Sequence, residues 1–450
     1  MLNVSSESTF LIDYYDNLLK VSNNAFNFSL DNSKKTSCYS QLQKTVYDKL
    51  DSIYDILDKD LCNIQTFRKI YDNNSREYRS LLQNIYNQHF VNNRYIDDNI
   101  KEYIKNKPGS LVIYTLPYKN KYITINLFKY SKISPNYVKT LDKIIKNMMA
   151  QIYLITNLTK NNTCSDTGLS IYLFFTPFKR KLEKKRENVL GATNANGGFC
   201  YGCVSLGKIV VYREEEFFKV FSHELIHNFG VDKYIWDFIS SAKIKNSKEF
   251  KLYHKFLNNF NLGRENDLGL QECLVEFWGE FFNNVIYSYI YSKSCNLSDH
   301  NHKFKIYNHI FETIMKFEII HSFFQTTKIV YHNNTTYIDI LSKYNKNTLK
   351  YRENTHIFSY YMLKLYLIFN YKLFVNSEIS VSRENTIKFS NSLRNMQQFF
   401  NYMSSVATDN SLLLNFKFME KIYLHLKSQK KGREINFLLS NLRMSVLQYH

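Results

Sequence analysis

The stretch Phe217-Phe218-Lys219-Val220-Phe221-Ser222-His223-Glu224-Leu225-Ile226-His227-Asn228-Phe229-Gly230 decides how the rest of the chain is read. Phe218, Phe221, Leu225 and Phe229 recur at helical spacing, which predicts a helix with one face to bury. His223 and His227 stand four residues apart and project from the same side, one turn above the other. Glu224 sits beside them, near enough to reach a water on a metal ion without entering the coordination shell. The pattern is H-E-x-x-H on a helix, with His223 and His227 as metal ligands and Glu224 as general base. A strand-like run over 207–213 precedes it, and Gly230 supplies a stop.

Outward from this helix, glycine and proline mark the organisation. All 4 prolines and most of the 12 glycines fall between residues 108 and 230, so strands and turns are expected there and helices in the flanks. Within that middle part, residues 110–117 and 122–129 predict a β-hairpin, 137–158 a helix and 169–176 a buried strand. Residues 208–213 are expected to be an edge strand, with Ile209, Val211 and Arg213 placed to pair with an extended peptide. Residues 1–107 contain neither glycine nor proline and show helical periods over 40–59 and 64–86. Later helices are expected to begin near 268, 303 and 356. The reading is therefore an α+β, predominantly helical chain in three parts: a helical region 1–107, a mixed region 108–230 ending in the motif helix, and a helical region 231–450.

Composition bounds the rest. The chain has 450 residues, 44% hydrophobic and 16% aromatic, enough to bury a large core. A net charge of +19 leaves nucleic acid open as a partner, but asparagine- and lysine-rich coding explains much of the excess, and no nucleic-acid-binding motif occurs. The basic run 179–186 is expected to be a solvated loop. Seven scattered cysteines argue for reduced thiols, with Cys200-Tyr201-Gly202-Cys203 a lone C-x-x-C. The first residues lack a basic start and an apolar core, and no run reads as a membrane span, so an intracellular, cytoplasmic protein is expected.

A catalytic zinc usually takes three protein ligands, so a third donor is required. One candidate is Asp232, one residue out of register with the H-E-x-x-H-x-x-G-x-x-H pattern, whose last position here is Lys233. The other is Glu272, on a later helix, with Glu276 one turn on among Phe277, Trp278, Phe281 and Phe282. In this second arrangement the chain resembles the gluzincins, the thermolysin-like zincin metallopeptidases, in which a downstream helix offers a glutamate ligand and, four residues later, a carboxylate that orients a ligand histidine. The resemblance implies one zinc ion per chain, Glu272 as third ligand and Glu276 as orienting acid, although Glu276 is a glutamate where the family pattern has aspartate. Residues 165–290 also look like uncharacterised putative metallopeptidases of large DNA viruses, which would place the chain in a host cytoplasm or a virion.

The expected function is zinc-dependent hydrolysis of peptide bonds in a polypeptide substrate, with Glu224 as base. His356, Tyr360 and Tyr361 are candidates for a further donor to the developing oxyanion. The alternative is a catalytically inactive zincin-like basic scaffold or a nucleic-acid-binding virion protein.

Overall fold

A computed structural model describes the chain apart from residues 1–3, 22–25, 27, 29–35, 160–163, 183–188, 263–267, 343–350, 383–385, 390–395, 431 and 450. It is α+β and mostly helical, with one mixed six-stranded sheet. The first part holds α1 (Ser6–Val21), α2 (Thr36–Asp60), β1 (Arg68–Tyr71), α3 (Arg76–His89) and α4 (Asp98–Asn106). The middle holds β2 (Ser110–Tyr118), β3 (Lys121–Lys129), α5 (Pro135–Leu158), β4 (Gly168–Phe175), the single turn α6 (Ala192–Ala195), β5 (Gly198–Cys200), β6 (Leu206–Val211) and α7 (Phe217–Asn228). Then come α8 (Lys233–Ala242), α9 (Lys248–Leu257), α10 (Leu270–Ser294), α11 (His300–His332) and the short α12 (Tyr337–Ile340). A π-helical turn (Ser359–Leu363) leads into α13 (Lys364–Phe369) and α14 (Tyr371–Glu378), a small hairpin of β7 (Ile379–Val381) and β8 (Ile387–Phe389), and α15 (Met396–Ala407), α16 (Asn410–Ser428) and α17 (Arg433–Ser440).

The sheet runs β1-β2-β3-β4-β6-β5; β4 is parallel to both β3 and β6, and the other pairs are antiparallel. Alternation along the strands sends Val112, Ile125, Ile171 and Val211 to the large core shared with α5, α7 and α10. Their neighbours Leu111, Phe128, Phe174 and Val210 pack on the other face against α3 and α4. Helices thus cover both faces, and α7 lies between the sheet and α10. The latter is buried almost all round, and its inward acids, Glu276 and Glu280, face lysines.

Several expectations need correction. Residues 64–86 are not one helix: β1 is drawn out of that stretch by the open edge of β2, with Arg68 making a two-pronged contact to Asp142 at 2.6 and 2.7 Å, and α3 begins afresh at its Ser75 cap. The first 107 residues are therefore not wholly helical, and they do not stand apart from the rest. β1 extends the sheet, and Tyr15 of α1 hydrogen-bonds His321 of α11 at 2.9 Å. The expected helix from 356 is broken into the π-turn, α13 and α14. The strand at 208–213 is not an edge strand, because β5 pairs with its outer side. Ile209 and Val211 are consequently buried, and Arg213 turns back to donate to Asn196 O (2.9 Å) and Thr193 O (2.6 Å). The thiol reading fails for one pair: Cys164 and Cys203 form a disulfide across 39 residues, while Cys62, Cys200, Cys273 and Cys295 are free and Cys38 lies outside the described side chains. In the basic run, Arg180 is only 2% exposed and pairs with Glu216 at 2.6 Å, because three loops meet around it; Lys184, Lys185 and Arg186 lie outside the described residues. Among the described residues, no helix is long and apolar enough to cross a membrane.

Candidate metal centre

The site is assembled by two buried helices and the turn between α7 and α8. α7 ends where Gly230 takes φ 63, a left-handed conformation that favours glycine. Gly230 N donates to His227 O (3.0 Å) and Val231 N to Ile226 O (3.1 Å), closing the helix and swinging Asp232 back beneath it. Asp232 Oδ2 lies 2.7 Å from His227 Nδ1 and also accepts from Trp236 Nε1 at 2.8 Å. From the other side α10 comes into direct backbone contact with α7 at Gly279, where a Cβ would stand 3.0–3.1 Å from the backbone N, Cα and Cβ of His223. That close approach brings Glu276 Oε2 to 2.9 Å from His223 Nδ1 and carries Glu272 opposite both imidazoles.

Both histidines are thus held through Nδ1 by a carboxylate, which turns each Nε2 to the same point. Glu272 Oε2 lies 3.5 Å from His223 Nε2 and 3.6 Å from His227 Nε2, and the three ligand atoms fall within 4.8 Å of one another. A tetrahedral zinc with bonds of about 2.1 Å separates its donor atoms by roughly 3.4 Å, so this donor set fits the ion in chemistry and in spacing. Charge points the same way. Glu224, Glu272, Glu276 and Asp232 gather around the two imidazoles, with Lys219 bonding Glu276 and with Arg180 and Lys233 also on the cleft wall. Burial opposes charge on His223 and His227, yet hydrogen bonds and proximity to Glu272, Glu276 and Asp232 raise both above the usual histidine range. Burial likewise opposes charge on Glu272, and the two histidines hold it well below the carboxylate range. A cluster that draws positive charge so strongly suits a divalent cation.

Glu224 is buried beside His223 and His227. Burial raises its pKa, with both histidines opposing the effect and Glu272 adding to it. Cys200 of β5 lines the cleft beside Glu224. Tyr360, on the π-turn, places its ring 6.2 Å from that of His223 and lines the cleft with Glu272. Burial and the surrounding carboxylates keep this phenol protonated, hence a donor. His356 lines the same cleft; Tyr361 does not, donating instead to Leu442 O at 2.7 Å. The cleft, about 630 Å³, runs past His223, Glu224 and Glu272 along β5.

β5 is the true edge. Gly197 O accepts from Tyr212 N (2.9 Å) and Phe199 pairs with Val210, so by antiparallel alternation the backbone groups of Gly198 and Cys200 face away from β6. Sequence reading missed this three-residue strand, the role of Asp232 as partner of His227, and Lys219. A signal for the last existed, since Lys219 precedes His223 by four residues on one helical face. No family model matches the chain, and no curated protein or solved structure is detectably similar to it.

Proposed function

We propose that this chain is a zinc-dependent metallopeptidase of the zincin type, with His223, His227 and Glu272 as ligands and Glu224 as base. The observation that carries the reading is the convergence of three donor atoms with both Nδ1 atoms held by carboxylates and Glu224 alongside. When bound, zinc supplies a Lewis acid that polarises a substrate carbonyl and acidifies a water molecule. The residues of the chain do the rest. Glu224 accepts the proton of the attacking water and passes it to the leaving amine. The Tyr360 hydroxyl donates to the oxygen on which negative charge develops. The free edge of β5 takes an extended peptide by strand addition through Gly198 and Cys200, and the walls of the cleft limit access of bulk water.

The test measures zinc by mass spectrometry and casein cleavage on the same samples of wild type, His223→Ala, Glu272→Ala and Glu224→Gln. One zinc per chain is expected in wild type and Glu224→Gln, and loss of it in the two ligand variants. Cleavage should fall at least about 10²-fold in Glu224→Gln. Wild type without zinc would sink the proposal and return the basic scaffold, to be probed by salt-dependent nucleic-acid binding.

A further inference from the structure

Lys219 is a charged side chain sealed in the core, 1% exposed, and the peptidase chemistry does not use it. Its ammonium bonds Glu276 Oε1, with the Met444 thioether 3.4 Å away on another side. The second oxygen of the same carboxylate, Oε2, is the one at 2.9 Å from His223 Nδ1. Lys219 and His223 lie one turn apart on α7, and Glu276 reaches both from α10. The carboxylate is therefore shared between two groups of one helical face, each taking one oxygen. A carboxylate bonded to His223 alone would be free to rotate about its last side-chain bond and could offer either oxygen. Pinned by Lys219, it offers one oxygen, in one orientation. Glu276 spans both partners, one oxygen to each. The ion pair also removes the cost of leaving a carboxylate unpaired in the core.

We propose that Lys219 is a positioning residue for the metal centre, holding Glu276 so that His223 keeps its Nε2 lone pair directed at the ligand point shared with His227 and Glu272. This rests on the zinc reading above. Lys219 is not one of the three donor residues, and it acts through Glu276, to which its ammonium is bonded.

The experiment measures zinc affinity by competition with a chromophoric chelator, and the visible spectrum of the cobalt-substituted protein, for the full-length chain. The set is wild type, Lys219→Met, Lys219→Arg, Glu276→Gln and the double variant Lys219→Met/Glu276→Gln. Partners of ligand histidines typically govern about 10- to 100-fold in metal affinity. Lys219→Met should weaken zinc by that range and shift the cobalt bands, and Lys219→Arg should restore most of the affinity. In the Glu276→Gln background, Lys219→Met should have no further effect, because its route to the metal is already cut. If Lys219→Met does not fold, Lys219→Gln, whose shorter neutral side chain leaves Glu276 less firmly held, takes its place in both comparisons with the same expected loss. Wild-type zinc affinity in Lys219→Met, or an undiminished loss on adding Lys219→Met to Glu276→Gln, overturns the positioning role while leaving the zinc site standing. Wild type that binds no zinc overturns the metal reading itself.

Discussion

A buried carboxylate weakens a fold unless a cation or several donors face it, and the chain contains both situations. Glu276 is faced by Lys219 and His223. Glu378, at the end of α14, faces the Tyr234 hydroxyl at 3.4 Å, and burial pushes it up to about 7 from an ordinary 4.5. The folded chain therefore keeps a proton on Glu378 that the unfolded chain has lost, so stability falls as pH rises from about 4.5 to about 7 and is level above that. Glu378→Gln removes this dependence. Its urea midpoint should match wild type near pH 4 and correspond to as much as about 3 kcal/mol more stability at pH 8. An equal difference at both pH values would show that titration of Glu378 is not the cause.

At the scale of elements, β5 matters most for its size. Three residues make a strand only because β6 offers them a partner, and the outer side of that strand then runs along the cleft. If the free edge receives substrate, removing one outward N–H should weaken binding without touching the ladder to β6. Cys200→Pro does this, since Phe199 is already extended, the conformation a following proline requires. Its KM for a peptide should rise roughly three- to tenfold, the worth of about one hydrogen bond, with zinc content unchanged. Cys200→Ala controls for loss of the thiol beside Glu224 and should keep the wild-type KM. A KM for Cys200→Pro equal to that control would place the peptide elsewhere.

The whole molecule is closed by its last described residues. After α17 the segment 441–449 enters the core, with Leu442, Arg443, Ser445 and Val446 all buried. Its amides are bound by acids from elsewhere: Met444 N (3.1 Å) and Ser445 N (2.6 Å) donate to Glu216, and Val446 N (2.8 Å) donates to Glu318. Arg443 reaches Ser8 of α1 at 3.0 Å. The same Glu216 binds Arg180 and takes φ 56 at the start of α7, so these donors also hold the left-handed backbone from which the motif helix springs. Truncation after Ser440 removes the backbone donors of both carboxylates, Glu216 keeping Arg180, a loss on the order of 1.5–3 kcal/mol for each, and uncovers the core that Leu442, Val446 and Leu447 close, against a typical total of roughly 5–15 kcal/mol. The truncated chain should show no cooperative unfolding by circular dichroism. A wild-type transition would mean that the segment merely rests on a fold complete without it.

The sequence by itself determined whatever depends on the geometry of one helix or one hairpin. His223 and His227 share a face, Glu272 and Glu276 share another, and residues 110–129 fold back on themselves, because intervals of four and alternations of two need no distant partner. Only the tertiary structure decided between Glu272 and Asp232 as the acid opposite both imidazoles, since that turns on how closely α10 meets α7 at Gly279 and where the turn at Gly230 leaves Asp232. It also decided that β5 rather than β6 is the edge, that β1 leaves a helical period to join β2, and that Cys164 finds Cys203. Each of these is a pairing of segments distant in the chain, in which the neighbour supplies the hydrogen bonds or the space, and local periodicity carries no record of the neighbour.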